Sequence, residues 1–291
     1  MAFWDGLLGR KKSAGGIDRF FAQLIDWSKT SSGVNVTVES SLSLAAVWAC
    51  VRVKQEDIAK LPCHLYQRKP DGSKARATTH PLYELILSRP NSLQTAFDFK
   101  AFMQGQLDLR GNALAIKEFN GRGQVVNLWP VPWSSVSVKT TAENRDLFYE
   151  VTFPSGKRET FPADGVVHLR GVSLDGVVGV SPITYHRETI GLGMAAEKYG
   201  AAFFGNNAKP GGMLKLKEVI GPERSKQLRE DWEDRFQGPE NSHKLVILDG
   251  EMDWQQIGMD NADAQFVETR KLSNQDIYRI FRMPPHKVGD L

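Results

Sequence analysis

Apolar positions along the chain alternate between a helical and a strand rhythm, and the changes of rhythm divide it into stretches. From Ser43 onward, Val47, Val51, Ile58 and Leu61 share one helical face, Ser43 is placed to cap the free amides, and Pro62 ends the run. A strand is expected over 63–68, leading into the turn Lys69-Pro70-Asp71-Gly72. A short helix over 80–88 closes at Arg89-Pro90-Asn91. A second, 95–109, carries Phe97, Phe99, Phe102 and Met103. Gly111-Asn112 then turns the chain into strands expected over 112–119, 124–129, 136–139, 147–153, 157–161 and 166–170, with Pro154-Ser155-Gly156 as a hairpin turn. Residues 39–180 thus predict one α+β body with an antiparallel sheet. Residues 1–38 mix Gly, Ser, Lys and aromatics without sustained periodicity and read as a partly ordered arm.

The character changes at Ser181-Pro182, where a capping residue followed by proline predicts a helix running to about Phe204 and ending at Gly205-Asn206-Asn207. Placed at 100° steps, Ile183, Ile190, Met194 and Ala201 form one stripe of this helix, and Thr189, Gly193, Ala196 and Gly200 form a second. Glycine inside a helix costs about 1 kcal/mol relative to alanine. Two of them on a small-residue stripe imply close approach of another backbone, either within the chain or from a neighbouring subunit. A compact α/β insert follows. It has strands over 213–217, 244–248 and 253–257 and a helix after Gly221-Pro222 carrying Leu228, Trp232 and Phe236. A last helix spans about 262–282 and stops at Met283-Pro284-Pro285, with Phe266, Ser273, Ile277, Ile280 and Phe281 on one face and Lys271, Arg279 and Arg282 broadly opposite.

Composition narrows the function classes only a little. At 291 residues, with 41% hydrophobic and 24% charged, the chain has enough apolar content for a sizeable core. The net charge of +3 is too mild to announce a nucleic-acid binder, and the insert alone (211–263) carries −5. Cys50 and Cys63 have neither metal nor disulfide spacing and read as two buried thiols in a reducing compartment. The apolar residues of 1–12 precede the basic cluster, opposite to a secretory signal, and the longest apolar run, 42–51, is about half a bilayer span. A soluble, non-exported chain is expected.

Chemical motifs are weak. Gly191-Leu192-Gly193-Met194-Ala195-Ala196 matches the GxGxxA dinucleotide fingerprint, but it falls deep inside an expected helix with no strand before it. The six histidines form no metal-ligand spacing. Asp249, Glu251 and Asp253 alternate across a turn and suit an acidic hairpin tip better than a cation site. No Walker loop or nucleophile elbow is present, so no catalytic residue, cofactor or metal is expected. A soluble nucleotide- or metal-dependent enzyme using Gly191–Ala196 or the three carboxylates stays as the alternative.

Together the ordered markers carry a resemblance. They are 46–52 (AVWACVR) through Ile58-Ala59-Lys60-Leu61-Pro62, His80-Pro81-Leu82, Arg89-Pro90-Asn91, Gly111-Asn112-Ala113, Val167-His168-Leu169-Arg170-Gly171, Gly179-Val180-Ser181-Pro182-Ile183, 207–212 (NAKPGG) and Met283-Pro284-Pro285. In this order and spacing the chain resembles phage portal proteins of the lambda-like siphovirus branch over nearly its full length. The resemblance implies a portal fold. Its parts would be an arm (1–38), an α+β wing (39–180), a first stem helix (181–205), an α/β clip (206–261), and a second stem helix with the start of a tunnel-loop region (262–291). It implies a dodecameric ring at one capsid vertex, assembled in the host cytoplasm, through which double-stranded DNA is packaged and ejected. Its implied partners are the large terminase subunit, the major capsid or scaffold protein and a head-completion or adaptor protein, with no membrane involved. On this reading Thr189, Gly193, Ala196 and Gly200 face a neighbouring subunit, Lys271, Arg279 and Arg282 face the DNA channel, and Trp232, Glu233, Asp249 and Glu251 dock partners on the clip. The family continues past the point corresponding to Leu291 with a tunnel loop, a long wing helix and a crown, so the chain is expected to be C-terminally truncated.

Overall fold

The computed structural model describes residues 30–141, 146–205, 213–216, 221–227, 230, 252–255 and 262–290. A helical turn, α1 (Val38–Ser41), is closed by a capping box between Thr37 and Ser40. Helix α2 (Ala45–Lys60) follows with Leu44 at its cap position and no side-chain cap. Ser43 therefore does not cap it as expected, because its hydroxyl donates 2.8 Å back to the Ser40 carbonyl. Ala46, Val47, Cys50, Val51 and Ala59 are buried, whereas Ile58 and Leu61 are exposed. The buried face drifts at the C-terminal end because Gly105 of the neighbouring helix lies under Gln55 there. Cys63, expected buried, is exposed just past Pro62.

Strands β1 (Tyr66–Arg68) and β2 (Lys74–Arg76) make an exposed hairpin over the expected turn, where Gly72 has φ 82°. Helix α3 (Pro81–Leu87) is capped by His80 Nδ1, which accepts from the Leu82 amide at 3.1 Å. Helix α4 (Ala96–Arg110) begins with a Thr95–Asp98 capping box and ends at Gly111 in the left-handed region, as its sequence signals require.

The expected single sheet is instead two three-stranded antiparallel sheets. One has order β4 (Val125–Val131), β3 (Asn112–Phe119), β8 (Val166–Arg170). The other has order β5 (Val136–Thr140), β6 (Leu147–Thr152), β7 (Arg158–Pro162). Leu114, Ile116, Val131 and Val166 from the first sheet share a core with Val138, Tyr149 and Val151 from the second, so facing sheets bury one apolar interior. Helix α4 covers the other face of β3, with Met103 against Ala113 and Ala115.

The helix expected to start at Ser181 is broken in two, α5 (Pro182–Tyr185) and α6 (Arg187–Gly205), where His186 adopts φ −102°, ψ 26°. In the insert, β9 (Met213–Leu216) pairs antiparallel with β10 (Met252–Gln255), so the chain enters and leaves the insert side by side. Residues 222–227 are helical, while Leu228, Trp232, Phe236 and the strand expected over 244–248 lie outside the described residues. The last helix, α7 (Ala262–Phe281), packs along α6. It ends in a Schellman arrangement in which Met283 N–H reaches Tyr278 C=O at 2.8 Å and Arg282 N–H reaches Arg279 C=O at 3.1 Å. A second core unites α2 (Val47, Cys50, Val51), α5 and α6 (Ile183, Ile190), α7 (Ile277, Tyr278, Phe281) and Met283. This helical core draws on both sides of the boundary expected at Val180–Ser181.

Candidate functional site

The sheets are joined to the late helices by a polar junction at Asn112, which is 1% exposed. Asn112 Oδ1 accepts from Gly179 N–H at 2.7 Å, and Nδ2 donates to Gly179 C=O at 2.7 Å and Arg110 C=O at 3.1 Å. With the amide thus oriented, His168 Nε2, 3.1 Å from Oδ1, has to be the donor, and Nδ1 accepts from the Tyr149 hydroxyl at 3.0 Å. His168 is consequently held neutral. Burial, helped by the nearby Arg170 charge, lowers its pKa from 6.5 to about 4. Trp133 stacks on the ring with centroids 5.1 Å apart. A Cβ on Gly179 would overlap the Gly111 carbonyl, and one on Gly111 would overlap that of Val180. Ser181 Oγ caps Thr184 N–H and donates 2.7 Å to the Leu109 carbonyl, which hooks the start of α5 onto the end of α4.

Beyond this junction α6 shows two different faces. Gly193 lies inside the chain, where a Cβ would sit 3.5 Å from Leu44 and 3.8 Å from Ile277, so its close approach is intrachain. Gly200 is also buried, and Thr189 and Ala196 are half-buried at the edge of this face. Gly191 lies under Thr30, and Ser31 N–H donates 3.0 Å to Glu188, so the end of the arm straps α6. That hydrogen bond is the main reason the Glu188 carboxyl is held below its ordinary range. On the other side of α6, Leu192 is 53% and Tyr199 58% exposed, and Tyr185, at the end of α5, is 59% exposed. The seven-residue spacing of Leu192 and Tyr199 on α6 was the signal in the sequence for this face, and the expectation built on the small residues overlooked it.

On α7, Lys271, Arg279 and Arg282 are all exposed. Arg279 is engaged by Asp276 at 2.5 Å, and Arg270 reaches Glu197 of α6 at 3.7 Å. Arg282 is the left-handed residue of the Schellman turn, at φ 54°. The clip residues Trp232, Glu233, Asp249 and Glu251 lie outside the described residues. The GxGxxA residues sit within α6, with Gly191 facing Thr30 and Gly193 facing Leu44, so they form no strand-to-helix phosphate cradle. Among the described residues there is no group of three or more His, Cys, Asp or Glu placed to hold a metal, and no helix is long and apolar enough to cross a membrane.

The sequence pattern of the family described as "Phage portal protein" matches residues 45–291. The chain belongs to the phage portal protein family. It is 31% identical over its whole length to the probable portal protein of Streptomyces phage phiC31, covering 66% of that protein. To the portal protein of Enterobacteria phage HK97 it is 29% identical over 88% of this chain, covering 60% of that protein. The chain thus spans less than two thirds of the length of these relatives. Among solved structures, the neck of the empty gene transfer agent particle, computed with C6 symmetry, includes a chain similar to it (TM-score 0.64, 22% identity, 94% of this chain and 75% of that one). An HK97 family phage portal protein from Corynebacterium diphtheriae is similar too (TM-score 0.58, 14% identity, 88% of this chain and 79% of that one). These likenesses establish the portal fold. Within it, the markers Gly111-Asn112, His168 and Gly179-Val180-Ser181 are the residues that meet at the polar junction.

Proposed function

We propose that this chain is a subunit of a ring-shaped portal at one capsid vertex, through which double-stranded DNA enters during packaging and leaves at ejection. The portal-family match across 45–291 carries the reading. In it, α6 and α7 are the stem, and the exposed face of α6 at Leu192, flanked by Thr189 and Ala196, meets a neighbouring copy. An exposed apolar side chain on a stem helix suits the head-to-tail contacts that close rings. Gly193 and Gly200 set the spacing behind that face rather than touching the neighbour.

Lys271 and Arg282, which have no ion-pair partner among the described residues, supply a thin basic lining for the channel, with Arg279 moderated by Asp276. A conduit has to let duplex slide, and dense phosphate pairing would hold it by a steep, salt-dependent affinity. The acidic insert around Trp232, Glu233, Asp249 and Glu251 is the docking tip for the large terminase subunit and a head-completion or adaptor protein. The major capsid or scaffold protein contacts the wing. Assembly takes place in the host cytoplasm. ATP hydrolysis belongs to the motor, and the portal acts structurally. Negative-stain imaging of the purified full chain tests this: annular particles with a central opening are expected, and single subunits at every concentration tried would overturn it.

A further inference from the structure

The hairpin of β1 and β2 carries a one-sided charge. Residues 66–76 hold four cations (Arg68, Lys69, Lys74, Arg76) and one carboxylate (Asp71), a net +3 that equals the excess of the whole chain. The register sets Arg68 directly across from Lys74 and Tyr66 across from Arg76. Alternation along each strand then brings these four side chains to one face, with Gln67 and Ala75 on the other. Arg68, Lys74 and Arg76 are exposed, and Tyr66 is 51% exposed. Like charges directly opposite destabilise a strand pair. Even so, none of the hairpin's cations has an ion-pair partner among the described residues. Asp71 is turned to its own loop, where Oδ1 accepts from the Ser73 amide at 2.8 Å. The β5–β6–β7 sheet is built differently, with Lys139 on Glu150 at 2.7 Å and Lys157 on Glu159 at 2.5 Å.

The array is also fixed in place. Lys69 N–H reaches Ser73 C=O at 2.9 Å, Gly72 N–H reaches Lys69 C=O at 3.0 Å, and Ala77 N–H reaches Leu65 C=O at 2.9 Å below the ladder. The His64 ring meets Tyr66 edge-on and stacks on Tyr83 of α3, with centroids 6.4 and 6.3 Å apart, which seats the hairpin on that helix. A preordered backbone has less entropy to lose on binding. The mutual repulsion of the cations is relieved when an anion lies across them. Blunting a sheet edge against stray pairing takes charge of either sign, whereas a face of cations alone fits an anion. Guanidinium forks, an ammonium and a phenol hydroxyl are donors suited to phosphate oxygens, which a duplex backbone presents in a row whatever its sequence. A ring repeats the hairpin in every copy, so weak contacts add through effective concentration.

We propose that Arg68, Lys74 and Arg76, with Tyr66 beside them, hold the phosphate backbone of duplex DNA outside the channel, an inference that takes the identity of the polyanion from the conduit reading. A firm phosphate grip would brake translocation, so it belongs off the path of the moving duplex. Covalently closed circular duplex tests this, because it cannot thread a closed ring. Binding of a fluorescent circle to the purified full chain is measured at near-physiological salt, with negative-stain imaging of each sample. Beside it stand a hairpin variant (Arg68→Gln, Lys74→Gln and Arg76→Gln together) and a channel variant (Lys271→Gln with Arg282→Gln). The unaltered chain is expected to bind, the hairpin variant to lose about tenfold or more in affinity, and the channel variant to bind as before. Undiminished binding by the hairpin variant, or unaltered rings that bind no circle, overturns the hairpin's role and leaves the ring reading standing. A loss as large in the channel variant overturns it too, by reporting total charge rather than this face. So does a hairpin variant with normal DNA affinity that no longer retains capsid or scaffold protein, which gives the cations an acidic protein partner. Hairpin-dependent binding by single subunits supports the hairpin and overturns the ring, and neither binding nor rings overturns both. Should the glutamines lower the thermal midpoint, amine labelling of Lys74 in the unaltered chain gives a second readout. Protection by the circle is expected, and unchanged labelling contradicts the proposal.

Discussion

The Asn112 junction and the helical core around Ile277 both hold α5–α7 to the rest of the chain, by different physics. At the junction, backbone and side-chain dipoles meet with every hydrogen bond directed and no room for another atom. In the core, Val47, Ile183, Ile190 and Ile277 are fully buried and need only to fill volume. The first kind of contact demands particular residues, and the second demands a class of residue. Three of the ordered markers, Gly111-Asn112-Ala113, 167–171 and 179–183, meet at this junction although they are far apart in sequence.

Substitutions can break this contrast in order of size. Gly179→Ala forces a methyl onto the Gly111 carbonyl, with backbone on both sides, and should cost about 3 kcal/mol or more in urea unfolding. Asn112→Asp keeps shape but removes the donor to Gly179 and Arg110, leaving buried carbonyls unpaired, so a loss of about 2–3 kcal/mol is expected. The comparable near-isosteric change in the core, Ile277→Val, should cost only about 1 kcal/mol. Equal losses for these two would erase the distinction drawn here.

Protonation sharpens it further. The folded pKa of His168 lies below the ordinary value of 6.5, at about 4, so between those values the unfolded chain binds the extra proton. The junction's contribution is therefore complete above pH 6.5 and is lost as pH falls toward 4, with a slope of at most about 1.4 kcal/mol per pH unit. His168→Gln should flatten that part of the stability–pH curve, and a retained slope would assign it to other groups. The smallest effect is a gain. Arg282 holds a left-handed conformation that glycine adopts freely, so Arg282→Gly should stabilise by about 1 kcal/mol and raise Tm by about 2–4 °C.

Local signals in the sequence placed most elements. The Thr95–Asp98 capping box and Gly111 bracket α4, and Ser181-Pro182 starts α5. Long-range facts were not legible. Alternation shows which side of β5, β6 and β7 is apolar but not that these strands form a sheet separate from β3. The exposed Lys74–Arg76 strand has no alternation to betray it. The break at His186 has no proline or glycine to mark it. The Asn112 contacts span 56 and 67 residues, a pairing that one sequence does not disclose. Site expectations divided in the same way. Exposure of the basic residues on α7 followed from periodicity, whereas the small residues of α6 suggested close approach without saying to what, and for Gly193 the answer is Leu44 and Ile277.

The most direct check on the whole account is the native mass of the purified full chain, measured beside the Leu192→Asp variant. A closed dodecamer that falls to single subunits on that substitution is the predicted result. A single-subunit mass for the unaltered chain, or a variant that assembles as before, would contradict the role given to the open face of α6.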